Sequence, residues 1–383
     1  MIYLDNAATT PMARSAANKM SAYYYDNYAN PSELYSFASK SRKAMNEARK
    51  NIASVINAEA EEIYYTSGGT ESDNQAIAGT ALAMSGKGKK HIITTSIEHH
   101  AVTNTCRFLE KHGFNVTYIN VDEKGIVDPD DIKNAIRDDT ILISVMFANN
   151  EIGSIQPVSD IGRIARDYGI LFHTDAVQAF AHTHIDVKAM NIDLLSASAH
   201  KCFGPKGVGM LYIRSGVNIG SLHFGGKQER GKRPGTENIP GIVGFGEAAA
   251  LQLSKVSYNE DYVNILSSHF INRIMNEIED VRLNGDPVKR LPGNVNISFG
   301  GIDGEALQIQ LDLKNICCST GSACNAGEHS VSHVISAIKV PQHYAYGTVR
   351  FTISDLNTIE ELDTTVDALK DAVTFLRSMS VRP

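Results

Sequence analysis

The sequence is poor in cysteine, in positive charge and in long apolar segments, and each shortage excludes a class of protein. Five cysteines in 383 residues do not support a disulfide framework and are typical of a reducing compartment. The net charge of −7, without a compensating basic block, argues against a general binder of nucleic acid or anionic membranes. No apolar run approaches the roughly 20 residues that span a bilayer, and the N-terminus lacks the pattern of a signal peptide. We therefore expect a cytoplasmic enzyme.

The sequence between about residues 60 and 213 alternates short apolar segments with amphipathic helical patterns. Continuous apolar segments are typical of strands that are buried on both faces of a mostly parallel sheet. Alternation of this kind predicts a doubly wound α/β layer. The predicted strands are EIYYTS, HIITTSI, VTYINV, ILISVMFA, ILFHTDA, LLSASA and VGMLYI.

The pattern changes after about residue 255, where the sequence predicts a smaller α+β domain. A long amphipathic helix is expected over about 259–280, and the predicted strands NVNISF and TVRFTI alternate with further helices. The last helix begins with a capping-box pattern, Thr358 with Glu361. We predict a large domain over 15–255 and a small domain formed by 1–14 and 256–383. A helix around 32–57 is expected to pack beside the small domain.

Three polar segments at the ends of predicted strands are candidates for chemistry. Lys201 follows LLSASA, and it is either a surface lysine or the covalent anchor of an aldehyde cofactor. Asp175 ends another strand, where it is either a cap or metal ligand or the partner of a protonated pyridine nitrogen. The segment TSGGTESDN, at 66–74, is either an ordinary helix N-terminus or a phosphate cradle. Together the three have the layout of enzymes that use pyridoxal phosphate (PLP).

Nine short motifs, in this order, make the sequence resemble the cysteine desulfurases of the class V aminotransferase superfamily. They cover essentially the whole chain. The resemblance implies an α/β, fold-type I PLP-dependent enzyme with a mostly parallel central sheet in a large domain and a smaller α+β domain. The motifs are YLDNAATTP, TSGGTESDN, EHHAV, NNEIG, HTDAVQ, SAHKCFGPKG, RPGTENIPG, STGSAC and TVRFTIS.

The resemblance assigns four residues to the PLP ring. Lys201 would bind the aldehyde as an imine and later move protons. Asp175 would pair with the pyridine nitrogen, and Gln178 would hydrogen-bond the ring oxygen. His99 would stack on the ring and take part in acid–base steps.

The resemblance also assigns the groups that hold anions. Asn150 and Arg350 would bind the substrate carboxylate, a task that suits a bidentate guanidinium. A homodimer is implied, because one phosphate ligand would come from the other subunit. The phosphate ligands would be Gly69, Thr70, Ser198 and His200 of one subunit and Thr236 of the other.

Cys324 lies in CCSTGSACNAG, among residues that are typical of a mobile loop, which we expect at about 317–330. By the resemblance its thiolate would take the sulfur atom of L-cysteine, which leaves L-alanine and a persulfide. The sulfur would pass to an acceptor protein, either an iron–sulfur scaffold or a tRNA-thiolation protein. A loop suits this task, because the same sulfur must visit a buried site and then an outside acceptor. Neither nucleic acid nor a membrane is expected as a direct partner.

A zinc site is the main alternative for the residues around this loop. The sequence after Cys324 departs from the usual family pattern, and Cys318, His329 and His333 lie close to it in sequence. No C-x-x-C pair supports a zinc site, and we expect no metal. Cys317 and Cys318 are interpreted as strand residues and not as part of a sulfur relay.

Two other functions stay open from the sequence. A class V aminotransferase or a selenocysteine lyase would share Lys201 and Asp175 but would not need Cys324. A non-catalytic sulfur carrier or assembly partner belongs to a different class, and the presence of both Lys201 and Cys324 argues against it.

Overall fold

The computed structural model describes residues 1–84, 88–320 and 331–379. The strands are β1 (Ile2–Tyr3), β2 (Ile63–Thr66), β3 (His91–Thr95), β4 (Asn115–Ile119), β5 (Thr140–Ser144), β6 (Leu171–Asp175), β7 (Leu194–Ser198), β8 (Gly209–Ile213), β9 (Val281–Leu283), β10 (Asn294–Phe299), β11 (Ile316–Cys317) and β12 (Thr348–Thr352). The α-helices are α1 (Arg14–Tyr25), α2 (Ala38–Val55), α3 (Gly69–Met84), α4 (His100–Glu110), α5 (Pro129–Asn134), α6 (Val158–Asp167), α7 (Ile239–Leu253), α8 (Val256–Glu277), α9 (Gly304–Asp312), α10 (His333–Ala337), α11 (Gln342–Ala345) and α12 (Ile359–Met379). Short 3₁₀ helices lie at Ala60–Glu62, Ala199–Lys201 and Gln228–Gly231.

The central sheet has seven strands in the order β2-β8-β7-β6-β5-β3-β4. Pairs among β3 to β7 are parallel, whereas β8 runs antiparallel to both of its neighbours. Every residue of β3, β5, β7 and β8 is buried, as expected for strands covered on both faces. The prediction of a mostly parallel α/β sheet is therefore confirmed, and each of the seven predicted strands is present.

The carboxyl ends of β6 and β7 lie side by side and place the candidate chemistry. Asp175 is the last residue of β6 and pairs with Ser196 of β7. Ser198 ends β7, and the 3₁₀ helix that follows it ends at Lys201. Since ligands of open α/β sheets bind outside the carboxyl ends of the strands, this edge is where a site is expected.

The C-terminal part contains a three-stranded antiparallel sheet in the order β12-β10-β9. Helices α8, α9 and α12 cover it with one apolar cluster. Within this cluster Phe270 of α8 packs edge-on against Phe351 of β12, with 5.3 Å between the ring centres. The predicted capping box of the last helix is confirmed, because Glu361 N–H donates to Thr358 Oγ1 and Thr358 N–H donates to Glu361 Oε2. These contacts match the predicted α+β character of this part.

The first residues of the chain connect the two sheets. Strand β1 pairs in parallel with β11, and Asp5 forms a bridge with Thr352 of β12. Further along, Thr10 N–H donates to the carbonyl of His200 (2.9 Å). The N-terminal segment therefore runs from the C-terminal part of the fold to the edge that carries Lys201.

The prediction that helix α2 packs beside the small domain is wrong. It packs mainly against α7 and joins the apolar cluster of the large sheet through Ala48 and Ile52, not beside the small domain. Its amphipathic pattern gives the buried face but does not identify the partner. None of the helices in the ranges given above combines the length and apolar character that a membrane span needs.

Candidate functional site

Lys201 lies at the edge of the central sheet and faces the N-terminal segment. Its Nζ donates hydrogen bonds to the carbonyl of Ala7 (2.5 Å) and to that of Ala8 (2.7 Å). Its own carbonyl is bonded to His182 Nε2 (2.7 Å). The lysine is half-buried, and no acidic side chain lies among these hydrogen-bond partners. These two carbonyl oxygens orient the amine at the end of the 3₁₀ helix that follows β7.

Asp175 and His99 approach each other beside the lysine. Asp175 is buried, and its Oδ1 accepts the N–H of Val177 (2.9 Å). His99 is the N-cap of α4, and its Nδ1 accepts the N–H of Ala101 (3.1 Å). The neutral imidazole therefore carries its proton on Nε2. One ligand atom from each of Asp73, His99 and Asp175 lies within 4.8 Å of the others.

Burial controls the charges of this group. It raises the pKa of the Asp175 carboxyl, and the opposing effects of His99, the Val177 N–H and Lys201 are smaller. Burial likewise lowers the pKa of His99. The carboxyl of Asp175 would regain a stabilised charge if a cation entered the site beside it, because an opposite charge favours the ionised form.

The start of α3 forms a closely packed cradle at the same edge. A Cβ at Gly69 would lie 2.5 Å from Val177 Cγ2, so only glycine allows this approach. Ser72 Oγ lies within hydrogen-bond distance of the carbonyls of Gly68 (3.1 Å) and Met210 (2.9 Å) and ties the first turn to β8. Thr70 is exposed on that turn. The N–H groups at the start of a long helix are well placed for an anion.

Three other predicted residues border this cradle. Ser198 is buried, and its Oγ lies 3.8 Å from where a Cβ of Gly68 would be. His200 is bonded through Nδ1 to Thr9 Oγ1 (3.2 Å), and burial, with the nearby lysine charges, lowers its pKa to about 4. Gln178 Nε2 donates to the carbonyl of Ala7 (3.0 Å), which also accepts from the lysine. The structure thus brings these side chains to one edge.

Arg350 approaches this edge from the small sheet. Its Nη1 donates to the carbonyl of Asn150 (2.9 Å) and its Nη2 donates to Asp5 Oδ1 (2.8 Å). The loop that contains Asn150 is held by its neighbour Asn149, whose Oδ1 accepts the N–H groups of Glu151 and Ile152. The predicted pair of substrate-binding residues is therefore in contact.

Two predicted residues remain outside the contacts described above. Thr236 is exposed on the chain, six positions after the non-helical residue Arg230, and its contact with a second subunit stays a prediction. Cys324 lies outside the described residues, as does His329. Cys317 belongs to β11, as predicted, whereas Cys318, also predicted as a strand residue, is buried just after the strand ends. Burial raises the pKa of the Cys318 thiol to about 12, which does not suit a nucleophile.

Sequence reasoning missed residues that were present in the quoted motifs. Asp73, in TSGGTESDN, is fully buried with its carboxylate 3.6 Å from His173 Nε2. Asp5, in YLDNAATTP, forms the ion pair with Arg350. The position of Asp73 just after a glycine-rich turn, in a motif already singled out, was a usable signal for it. Nothing local in the sequence indicates the partner of Asp5.

The residues present fit PLP. Asp175 could hold a pyridine nitrogen, the start of α3 with Ser198 and His200 could hold the phosphate, and Lys201 could bind the aldehyde carbon. The fit is supported by the absence of a Cβ at Gly69, since this is what lets the helix start approach the segment that follows Asp175.

Comparisons with known proteins agree with this arrangement. Residues 2–365 match the family model of the class-V aminotransferases. The cysteine desulfurase IscS of Methanosarcina thermophila is 51% identical over 379 residues, which is 99% of this chain and 93% of that protein. The chain superimposes on the solved structure of a NifS-like protein with a TM-score of 0.92 at 36% identity, covering 98% of this chain and 100% of that one.

A second solved structure, of SspA in complex with cysteine, gives a TM-score of 0.83 at 38% identity, with 92% of this chain and 99% of that one covered. The chain therefore belongs to the aminotransferase class-V family, and within it to the cysteine desulfurases.

Proposed function

We propose that this protein is a PLP-dependent cysteine desulfurase, which converts L-cysteine to L-alanine and transfers the sulfur atom through Cys324 to an acceptor protein. The observation that carries the proposal is that His99 approaches Asp175 at the edge where β6 ends with Asp175 and where the 3₁₀ helix after β7 ends with Lys201. The high identity to cysteine desulfurases over the whole chain supports the choice of reaction within the family.

The residues at this edge would hold PLP in one orientation. Asp175 would face the pyridine nitrogen, His99 would cover the ring, and Gln178 would reach the ring oxygen. The first turn of α3, with Ser198 and His200, would bind the phosphate. When bound, PLP supplies an electron sink that stabilises negative charge at the α-carbon of an amino acid.

Substrate binding is assigned to Arg350 and Asn150. The guanidinium is buried, with 8% of its side chain exposed, so an ionic hydrogen bond to a carboxylate would be little weakened by solvent. Because Arg350 stands on β12 and Asn150 on the loop after β5, the two elements together would fix the carboxylate and point the amino group towards Lys201.

Protons are moved by the lysine and the histidine. The Nζ of Lys201, once released from its carbonyl partners, would take the α-proton of the substrate and return a proton to the product. His99, with its Nε2–H turned away from the helix, would hold a proton at the opposite side of the ring. Burial, which lowers the pKa of His99, keeps the imidazole neutral, with its Nε2–H available as a hydrogen-bond donor.

The sulfur transfer is assigned to Cys324. Its thiolate would attack the sulfur of the substrate, so that a sulfur–sulfur bond forms and the carbon–sulfur bond breaks. The electron pair of the broken bond stays with the carbon, which takes a proton and becomes the methyl group of alanine. The persulfide would then pass its outer sulfur to an iron–sulfur scaffold or a tRNA-thiolation protein.

The proposal also includes a homodimer, a division into two domains and a cytoplasmic location. A homodimer would place Thr236 of one subunit at the phosphate of the other. The division into a large domain over 15–255 and a small domain over 1–14 and 256–383 would place Arg350 and Cys324 together in the small domain. We also assign the protein to the cytoplasm, in keeping with its few cysteines.

Mass spectrometry after treatment with L-cysteine tests the proposal. The wild-type protein should gain the mass of one sulfur atom on Cys324 and release free alanine. Cys324→Ser should retain the absorbance of bound PLP but gain no sulfur there. Lys201→Ala should lose both the sulfur and the alanine. A wild-type protein that binds PLP and forms pyruvate or keto acid from cysteine, with no persulfide, would show a different class-V reaction.

A further inference from the structure

The guanidinium of Arg350 already has an anionic partner within the chain. Its Nη2 donates to Asp5 Oδ1 (2.8 Å), and only 8% of the arginine side chain and 19% of the aspartate side chain are exposed. Its Nε has no hydrogen-bond partner in the part of the chain that the structure describes, although it is buried. A buried donor without a partner is costly, so this edge of the guanidinium is prepared to receive an acceptor.

The backbone holds Asp5 firmly in this position. It forms a bridge with Thr352 of β12, two residues from Arg350 on the same strand. Before Asp5 in the chain, β1 pairs with β11, and the hydroxyl of Tyr3 lies within hydrogen-bond distance of the carbonyls of Thr9 (2.8 Å) and Asp5 (3.1 Å). The aspartate is therefore a fixed counter-charge and not a surface side chain that happens to approach.

A substrate carboxylate at Arg350 would be the second anion at the same cation. The hydrogen bond from Nη1 to the carbonyl of Asn150 orients the guanidinium without neutralising it. Neutralisation comes from Asp5, which avoids an unpaired buried charge when no substrate is bound. Once a substrate carboxylate arrives, the same aspartate repels it, because like charges placed side by side in a poorly solvated site are unfavourable.

We propose that Asp5 is a built-in competitor of the substrate carboxylate and sets the affinity of Arg350 for it. The inference rests on the proposed role of Arg350 in binding that carboxylate. Asp5 is a specificity-determining residue in this view, because the strength of the competition decides how strongly the site prefers an amino acid over the corresponding amine or amide.

The alternative is that Asp5 only aligns Arg350, and the two roles predict opposite effects. If Asp5 competes, its neutralisation should tighten the binding of carboxylates. If it only aligns the guanidinium, its neutralisation should weaken that binding. Asp5→Asn keeps the size of the side chain and an oxygen that can accept from Nη2, whereas Asp5→Glu keeps the charge.

The test uses the PLP-loaded protein and a matched pair of probes. The probe 3-mercaptopropionate is cysteine without its amino group, and 3-mercaptopropionamide is its uncharged counterpart. We expect Asp5→Asn to lower the inhibition constant of the acid at least about threefold and to leave that of the amide unaltered. The KM for L-cysteine should fall in parallel, while Asp5→Glu and the surface control Asp26→Asn should not lower either constant. Circular dichroism and thermal unfolding verify that each variant is folded.

A variant without either charge separates failure of this inference from failure of the proposed function. Asp5→Asn combined with Arg350→Gln removes both partners and avoids a buried unpaired charge. If this double variant still prefers the acid over the amide as the wild type does, the proposed role of Arg350 is wrong. If it loses the preference but Asp5→Asn alone weakens or does not change acid binding, only the competitor role of Asp5 is wrong.

Discussion

The buried ion pair between Arg49 and Glu229 joins α2 to the turn that precedes the segment of Thr236, and its disruption should destabilise the protein. Arg49 Nη2 donates to Glu229 Oε1 (2.6 Å) and Nη1 donates to Oε2 (2.8 Å), with 8% and 3% of the side chains exposed. Oε2 also accepts the N–H of Tyr65 (2.9 Å). Glu229 and Arg230 have φ of 44° and 56°, a strained conformation that the surrounding contacts must maintain.

The magnitude follows from the charge that each change leaves behind. Arg49→Met leaves the carboxylate of Glu229 buried beside one N–H group, and we expect a loss of about 3–5 kcal/mol in the free energy of unfolding. The guanidinium also lies 4.3 Å from the ring centre of Tyr65, a contact that is lost as well. Replacement of both charged residues by Met removes the unpaired charge, so the double variant should lose about 2–3 kcal/mol less than the sum of the single variants.

Urea unfolding measures these differences. Circular dichroism and tyrosine fluorescence are suitable signals, since the chain contains 15 tyrosines and no tryptophan. All variants should be compared without cofactor, because a ligand that binds the folded state adds its own stabilisation. Arg163→Met is a matched control. Its pair with Asp160 is exposed, with 65% and 57% of the side chains accessible, and the expected change is under about 0.5 kcal/mol.

Two results would refute this reasoning. A loss below about 1 kcal/mol for Arg49→Met would mean that water reaches the carboxylate and stabilises it. Additive losses in the double variant would mean that the two residues stabilise the fold independently of each other.

Two further predictions concern Gly69, at the candidate site, and Glu98, which precedes His99 in the chain. Gly69→Ala should weaken PLP binding about tenfold, because the new Cβ would overlap Val177 Cγ2. In a titration with PLP, the double variant Gly69→Ala, Val177→Ala should recover much of the lost affinity. If it does not, the steric cause is wrong. Burial raises the pKa of Glu98 from 4.5 to about 8, so the folded state binds an extra proton between these pH values and stability falls as pH rises through them. Urea unfolding should therefore show that Glu98→Gln raises the free energy of unfolding, relative to wild type, more at pH 8 than at pH 5. An equal change at both pH values would contradict a titration of Glu98.

The strands of the large sheet could be predicted from the sequence because their signal is local. Thr140–Ser144 and Leu194–Ser198 are short apolar segments bounded by polar residues, and burial on both faces leaves them little alternative. The helix partners could not be predicted in this way. The apolar face of α2 fits any apolar surface, and the choice of α7 depends on the close approach of Ala48 to Gly246.

The candidate site, like the fold, has one part that the sequence predicts and one part that it does not. The positions of Lys201 and Asp175 follow from where their strands end, and the parallel order of those strands brings the ends together. The contacts that complete the site join residues far apart in sequence: Asp5 and Arg350 are 345 positions apart, and Ala7 is 194 positions from Lys201. No periodicity or local motif encodes such pairs.

The N-terminal motif has a physical role that its residue types do not reveal. Its backbone supplies the carbonyl of Ala7, which accepts from both Lys201 and Gln178, while the side chain of Thr10 is bonded to the backbone of His200 and Phe203. These interactions use mostly backbone groups, so they place few demands on residue type. The segment need only be short, uncharged at the contact and able to turn. The same segment carries Asp5 to Arg350. One extended stretch thus connects the lysine of the large sheet with the arginine of the small one, so the position of either residue depends on the other.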